Sequence, residues 1–360
     1  MTKKKIIIDM TMLKRPYTGL GQFSLYLGNN LLCLKNDDDE YDFLLYKTNK
    51  NIFETNNFNA KILNKVSKHT FKYTAAYLSK KYDLWHILSQ QSSFFPISTQ
   101  SSIIFTIHDL NILKENTNKN NTKAINLIQQ RINRADIITS ISDYVATDIK
   151  NNFDLKNKKI EVIHNGVEIK RYQNPKKPNF IHSHQKFIFT IGALMEKKNF
   201  HVLVKMMQYL PDYHLIIAGR KERDYIYQIQ NEITNHHLDE RVILAGEISD
   251  EDKYWLYQNC EAFAFPSLLE GFGMPIIEAL SMGKPVFCSN STSLPEVGGE
   301  MAYYWEHFEP VYMAEVFKKG MENTKNDVLF VQKAIDRANE FSWKIAAEKY
   351  LKLYERLLKK

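Results

Sequence analysis

Short, nearly all-apolar runs recur along the chain, and between them the apolar positions fall into helical spacing. Lys5–Asp9, Tyr41–Tyr46, Asp83–Leu88, Ser102–Ile107 and Asp136–Ser140 are such runs in the first half. Runs this short and continuous are expected of strands buried on both faces of a parallel sheet. An apolar-periodic helix is predicted from Gly19 to about Leu34, and another from Thr122 to Arg134. A polar stretch containing Pro175 and Pro178 interrupts the pattern, which then restarts. Strands are predicted at Phe187–Ile191, Tyr213–Gly219, Arg241–Gly246, Glu261–Phe265 and Pro285–Ser289, and a helix over Asp250–Gln258 behind Ser249. The tail from Phe341 to Lys360 is strongly amphipathic. Strands alternating with helices argue for an α/β protein whose parallel sheets are covered on both faces. The expected organisation is a first domain over residues 1–170, a linker over 171–185, a second domain over 186–340 and a terminal helix over 341–360.

The stretch from Ala264 to Glu278 holds the densest candidate chemistry. A buried strand stops at Pro266, a loop carries Glu270, Gly271 and Gly273, and Pro275 sits where a helix starts. Glycines let backbone approach a ligand closely, and the free N–H groups of a helix start favour an anion. Glu270 precedes the loop, and Glu278 is expected in the first helical turn. Read singly, Glu270 is a solvated loop acid and Glu278 an acid stabilising a helix dipole. A sugar nucleotide gives both a use, because carboxylates accept from vicinal hydroxyls while amides and cations hold the diphosphate.

Other candidates lie at strand ends, where ligands of open α/β sheets gather. His108 and Asp109 close the Ser102 strand. Lys197 and Lys198 precede a helix and suit a diphosphate as point charges. Read alone, they are exposed lysines. Arg220 follows a strand and reads equally as a nucleotide contact or a surface residue. Gly19 and Gly21 form a Gly-containing turn, but some ten residues beyond the first strand. A dinucleotide fingerprint puts its first glycine directly after the strand, so a dehydrogenase is excluded. The Asp-rich segment Asn36–Glu40 and the pair Asp250 and Asp252 read as a solvated loop and a helix start, not as metal ligands. Lys68–Tyr82 mixes lysines with aromatics and reads as a surface helix with its rings turned inward.

Glu270 and Glu278, with seven residues between them including Gly-Phe-Gly-Met-Pro, resemble the Glu-x7-Glu motif of retaining family 4 glycosyltransferases. The neighbouring Phe-Pro-Ser, Glu-Ala-Leu-Ser-Met-Gly-Lys-Pro-Val and Leu-Pro-Glu-Val-Gly-Gly segments resemble that family too, as do the phrases around His108, Arg134–Ser142 and Ile163–Val167. The resemblance covers nearly the whole chain and is weakest between Lys47 and Lys81. It implies the GT-B fold: two Rossmann-like α/β domains facing a cleft, with the C-terminal helix crossing back to the first. It implies hexosyl transfer from a nucleotide-diphosphate sugar with retention of configuration. Lys197 and Lys198 would hold the diphosphate. Glu278 would accept from the ribose. Glu270 and the amides of Gly271, Phe272, Gly273 and Met274 would hold the sugar, and His108 would lie near the reacting sugar or acceptor. Gly19 and Gly21 would form a donor- or acceptor-side loop. The donor phosphate would take the acceptor proton, with no metal or other cofactor. The family often has Arg-Lys-Asn where this chain has Lys197-Lys198-Asn199, so a bidentate fork is replaced by a point charge.

Overall resemblance to bacterial surface-polysaccharide mannosyltransferases favours mannose from GDP-mannose. UDP-glucose and UDP-N-acetylglucosamine remain open alternatives, as does a non-catalytic sugar-nucleotide-binding scaffold. The implied acceptor is a glycan or lipid-linked oligosaccharide at the inner face of the cytoplasmic membrane.

Composition narrows this little. With 360 residues, 44% hydrophobic and 25% charged, the chain has room for two globular domains. A net charge of +7 suits phosphate-bearing ligands or peripheral contact with an anionic membrane. No nucleic-acid-binding signature accompanies it. The N-terminus does not read as a secretory signal, and no run reaches the length of a membrane span. Three scattered cysteines, Cys33, Cys260 and Cys288, suit a reducing compartment, so a cytoplasmic place is expected.

Overall fold

The computed structural model describes residues 4–34, 39–46, 53, 59–63, 81–96, 100–114, 119–168, 171–181, 186–221 and 223–359. Most of Lys68–Tyr82 and part of the Asp-rich segment before Tyr41 lie outside the described residues. The chain divides into two compact units: Met1–Gly166 together with Ser342–Lys360, and Val167–Phe341.

The first unit holds a seven-stranded, all-parallel sheet. Its strands are β1 (Lys4–Asp9), β2 (Asp39–Tyr46), β3 (Asn59–Leu63), β4 (Leu84–Ile87), β5 (Ser102–Ile107), β6 (Ile137–Ser140) and β7 (Ile160–Val162), in the order β3-β2-β1-β4-β5-β6-β7. The continuous apolar runs are buried as expected. Ile7, Trp85, Ile87, Phe105, Ile107 and Ile138 meet Ile132 and Ile149 from the flanking helices in one core. Two edge strands were not legible: β3 and β7 lack an uninterrupted apolar run, and pairing with β2 and β6 defines them. Asp39, expected in a connection, opens β2.

The C-terminal helix Trp343–Leu358 belongs to this unit. Trp343 packs on Phe23 and Tyr26 of the helix Gly19–Leu34, with ring centroids 5.6 and 5.9 Å apart. Further along, Tyr354 shares a 2.6 Å hydrogen bond with Nδ1 of His86, a wholly buried residue of β4. Nε2 of His86 meets Thr106 at 2.9 Å, and Thr106 meets Thr139 at 2.7 Å. A polar seam thus lies between the helix and the sheet, and burial pushes the His86 pKa down to about 3, with His108 adding to the shift.

The second unit repeats the topology. Strands β8 (Phe187–Ile191), β9 (His214–Ala218), β10 (Val242–Gly246), β11 (Ala262–Phe265), β12 (Val286–Ser289) and β13 (Ala302–Trp305) form an all-parallel sheet in the order β10-β9-β8-β11-β12-β13. In each unit the strand order reverses beside the first strand, between β1 and β4 and between β8 and β11. Such switch points open a crevice at the carboxyl ends of the strands. Ser249 caps the helix Asp250–Asn259 in a capping box with Asp252, the helix start expected there. No helix among the described residues is long and apolar enough to cross a membrane.

Candidate functional site

In the second unit the loops after β8 and β11 flank the switch point, and each carries a charged residue singled out in the sequence. Lys197 and Lys198 lie in a 3-10 turn, Glu196–Lys198, that ends in the left-handed Asn199 at φ 58°. Asn tolerates that conformation, which reverses the chain into the helix His201–Met206. From this turn the Lys198 ammonium reaches Glu270 Oε1 in an ion pair, 72 positions along the chain. It also lies over the Phe265 ring, 5.0 Å from the centroid. Both side chains of the pair are 15% exposed, so a ligand can reach them.

Backbone bonds fix this arrangement. The Leu268 N–H donates to Lys197 O at 2.8 Å, and Ser267 Oγ donates to the same carbonyl at 3.2 Å. Ser289, at the end of β12, donates in turn to Ser267 O. Gly219 lets the ends of β8 and β9 close up: at φ +136° a Cβ there would lie 1.8 Å from Gly192 O. Arg220 follows, its carbonyl accepting from the Leu194 N–H at 2.9 Å.

The loop after β11 ends at Gly273, the N-cap of the helix Met274–Ser281, with φ 112°. Gly271, Phe272, Gly273 and Met274 therefore run into a helix start whose N–H groups suit an anion. The Phe272 ring is buried against Phe341, at 5.6 Å between centroids, so the ring itself is turned away from solvent.

Glu278 departs from the expectation. The helix begins at Met274, which puts Glu278 in the second turn, and the first turn holds no acid. Dipole stabilisation falls off within the first turn, so it does not account for this residue. Glu278 instead faces the helix Asp250–Asn259. Tyr257 donates to Oε2 at 2.8 Å, and Lys253 donates to Oε1 at 3.2 Å. Burial raises the Tyr257 pKa well above its usual value, and the nearby Glu278 charge adds to this, so the phenol stays a donor. Neither partner carries a signal in the sequence, where Lys253 and Tyr257 read as ordinary positions of a helix.

In the first unit, His108 follows β5 and is 4% exposed. Its Nε2 donates to Leu88 O at 2.7 Å and its ring meets Phe23 edge-on at 4.5 Å. Burial lowers its pKa to about 4, against a smaller opposing effect from the Leu88 bond. His108 is therefore neutral near pH 7 with its proton on Nε2, and Nδ1 is an acceptor. Gly19 opens the helix Gly19–Leu34. Gly21 serves packing, because a Cβ there would lie 2.1 Å from Arg15 O.

Two doubly wound parallel sheets, one with an acid and a lysine paired at its switch point, define an architecture built for a nucleotide-like ligand. Comparison with known proteins makes this specific. Residues 172–337 match the family of glycosyl transferases group 1, and residues 51–171 match Glycosyltransferase Family 4. The chain thus carries both glycosyltransferase domains, one of each family, and is a glycosyltransferase. It is 24% identical to O-antigen chain mannosyltransferase B of Escherichia coli, over 98% of this chain and 100% of that one. It is 30% identical to O-antigen chain mannosyltransferase RfbU of Salmonella typhimurium, over 49% of each chain. Among solved structures, a glycosyltransferase from Rickettsia africae superposes with a TM-score of 0.75 at 19% identity over the whole of both chains. HepE of Anabaena, solved in complex with UDP-glucose, superposes with a TM-score of 0.74 at 18% identity, over 98% of this chain and 99% of that one. The fold is that of the GT-B glycosyltransferases.

Proposed function

We propose that this glycosyltransferase moves a mannosyl group from GDP-mannose to a growing surface glycan or lipid-linked acceptor, with retention of anomeric configuration. The observation that carries the donor site is the Lys198–Glu270 pair at the β8/β11 switch point. The full-length similarity to an O-antigen mannosyltransferase supports the choice of mannose.

In this reading the diphosphate lies between Lys197, Lys198 and the N-terminus of the helix Met274–Ser281. Lys198 is paired with Glu270 when no donor is bound, and an arriving diphosphate competes for its ammonium. The exchange frees Glu270 to accept from hydroxyls of the transferred sugar while Lys198 stabilises charge on the departing diphosphate. Fixed charges of this kind are usually the largest catalytic contribution. The amides of residues 271–274 hold the sugar, and Glu278 accepts from the ribose hydroxyls. In the first unit, His108 offers a neutral acceptor nitrogen to a bound acceptor. The donor phosphate removes the acceptor proton, and lysines with helix N–H groups take the place of a metal.

A thermal-shift panel of GDP-mannose, UDP-glucose, UDP-N-acetylglucosamine, GDP and UDP, with and without EDTA, tests this. A ligand at about 100 times its Kd stabilises the native state by about 2.7 kcal/mol. Stabilisation by GDP and GDP-mannose, insensitive to EDTA, is the expected result. A shift with UDP compounds alone would overturn the choice of donor, and a shift abolished by EDTA the metal-free mechanism.

A further inference from the structure

Two adjacent residues on the loop after β12 depart from their local preferences, and both departures grip the Glu270 loop. Thr292 has φ 56°, a left-handed conformation that is a genuine outlier for a β-branched residue. In that conformation Thr292 Oγ1 accepts from the Glu270 N–H at 3.2 Å. Ser293 is the N-cap of the helix Leu294–Gly298, where a serine hydroxyl ordinarily accepts from the first turn. It makes no such bond. Its wholly buried Oγ instead donates its proton between Glu270 O at 3.1 Å and Phe272 O at 2.8 Å. The Glu270 backbone is therefore held at its N–H and its carbonyl by consecutive side chains. Leu294 closes the same loop from above, its Cδ2 lying 2.7 Å from where a Cβ on Gly273 would be.

A loop needing only stability would be served better by Gly or Asn at 292 and by a serine left free to cap its own helix. Strained backbone and forgone caps persist where the geometry they impose is used. We infer that Thr292 and Ser293 are positioning residues for the glycosyl-transfer step. They fix the backbone from which the Glu270 carboxylate and the amides of Gly271 to Gly273 project. The inference rests on the donor-site reading of Glu270 above. Displacement of a reacting group by about 1 Å is enough to cost on the order of a hundredfold in rate.

The test compares Thr292→Val, Thr292→Ser, Thr292→Gly, Ser293→Ala and Glu270→Ala by two readouts. One is release of nucleoside diphosphate from whichever of GDP-mannose, UDP-glucose and UDP-N-acetylglucosamine the wild type consumes. The other is the melting temperature. Thr292→Val and Ser293→Ala are expected to lower kcat by roughly tenfold or more, with smaller changes in donor KM. Thr292→Ser keeps the acceptor oxygen and recovers most of the turnover. Thr292→Gly relieves the strain, so it melts at or above the wild-type temperature while losing turnover, a combination that a merely structural role does not give. Wild-type kcat in both Thr292→Val and Ser293→Ala, beside a dead Glu270→Ala, would overturn the inference and leave the donor site standing. A fully active Glu270→Ala, or a wild type that consumes none of the three sugar nucleotides, would remove the donor-site reading and the inference with it.

Discussion

Tyr257 holds Glu278 from the neighbouring helix, its hydroxyl 2.8 Å from Oε2, while Lys253 one turn earlier reaches Oε1 at 3.2 Å. A carboxylate gripped at both oxygens presents its remaining lone pairs in a fixed direction, which suits recognition of a diol. Tyr257→Phe removes one hydrogen bond to a charged group, worth about 1.5–3 kcal/mol. The expected outcome is a donor KM raised on the order of tenfold with kcat little changed. Binding of GDP or UDP against its 2′,3′-dideoxy form checks the cause, since the substitution should weaken the ribonucleotide and spare the dideoxy form. Equal weakening of both would place the effect elsewhere.

Glu270→Ala and Lys198→Ala are each expected to lower turnover by about a hundredfold or more, the scale of a lost charge-stabilising contact at a reacting centre. Each leaves its partner charge without its ion pair, but both side chains keep some exposure, so the fold should survive. Circular dichroism and melting temperature, recorded beside steady-state rates, separate the two effects. Near-normal turnover in either variant would remove that residue from the donor site.

The first unit should be acid-labile. His86 and His108 have pKa values lowered to about 3 and about 4 by burial, against 6.5 when unfolded. Their contribution is present in full above pH 6.5. As pH falls, the unfolded chain takes up protons that the native state refuses, so stability is lost down to about pH 4 for His108 and about pH 3 for His86. Each histidine contributes a slope of at most about 1.4 kcal/mol per pH unit. Asp9, whose pKa is raised by burial, works in the opposite sense and reduces the net slope. Urea unfolding at pH 7, 6 and 5, followed by the near-ultraviolet signal to which Trp85 and Trp343 contribute, should show falling stability. A flat profile would contradict the buried neutral state of both rings.

Gly219→Ala is expected to damage the second unit severely. The new methyl would sit 1.8 Å from a backbone oxygen and would hold φ +136°, so neither a side-chain shift nor a rotamer change relieves it. The loss is about 3 kcal/mol or more, read as a lowered denaturation midpoint of the second unit. An unchanged midpoint would mean that the ends of β8 and β9 do not approach as closely as described.

The sequence by itself determined the two parallel sheets and the loops that carry the candidate site residues. Uninterrupted apolar runs such as Ile6–Ile8 and Ala262–Phe265 can only be buried on both faces, and glycine or proline beside a strand end marks where the backbone must turn. Such signals are local, and they survive without knowledge of neighbours. The edge strands β3, β7 and β13 lack them, being short or rich in polar or aromatic residues, and only hydrogen bonding to an adjacent strand makes them strands. The site divides the same way. Glu270, Lys198 and Glu278 were legible as residue types at strand ends and a helix start. Their partners were not, because contacts such as Lys198–Glu270, Tyr257–Glu278 and Thr292–Glu270 depend on how the loops after β8, β11 and β12 and the helix Asp250–Asn259 converge at one end of a sheet. Helix phase placed Glu278 in the second turn against Tyr257, and the close packing around His108 and His86 made those histidines neutral. Both outcomes follow from tertiary burial, which no local pattern encodes.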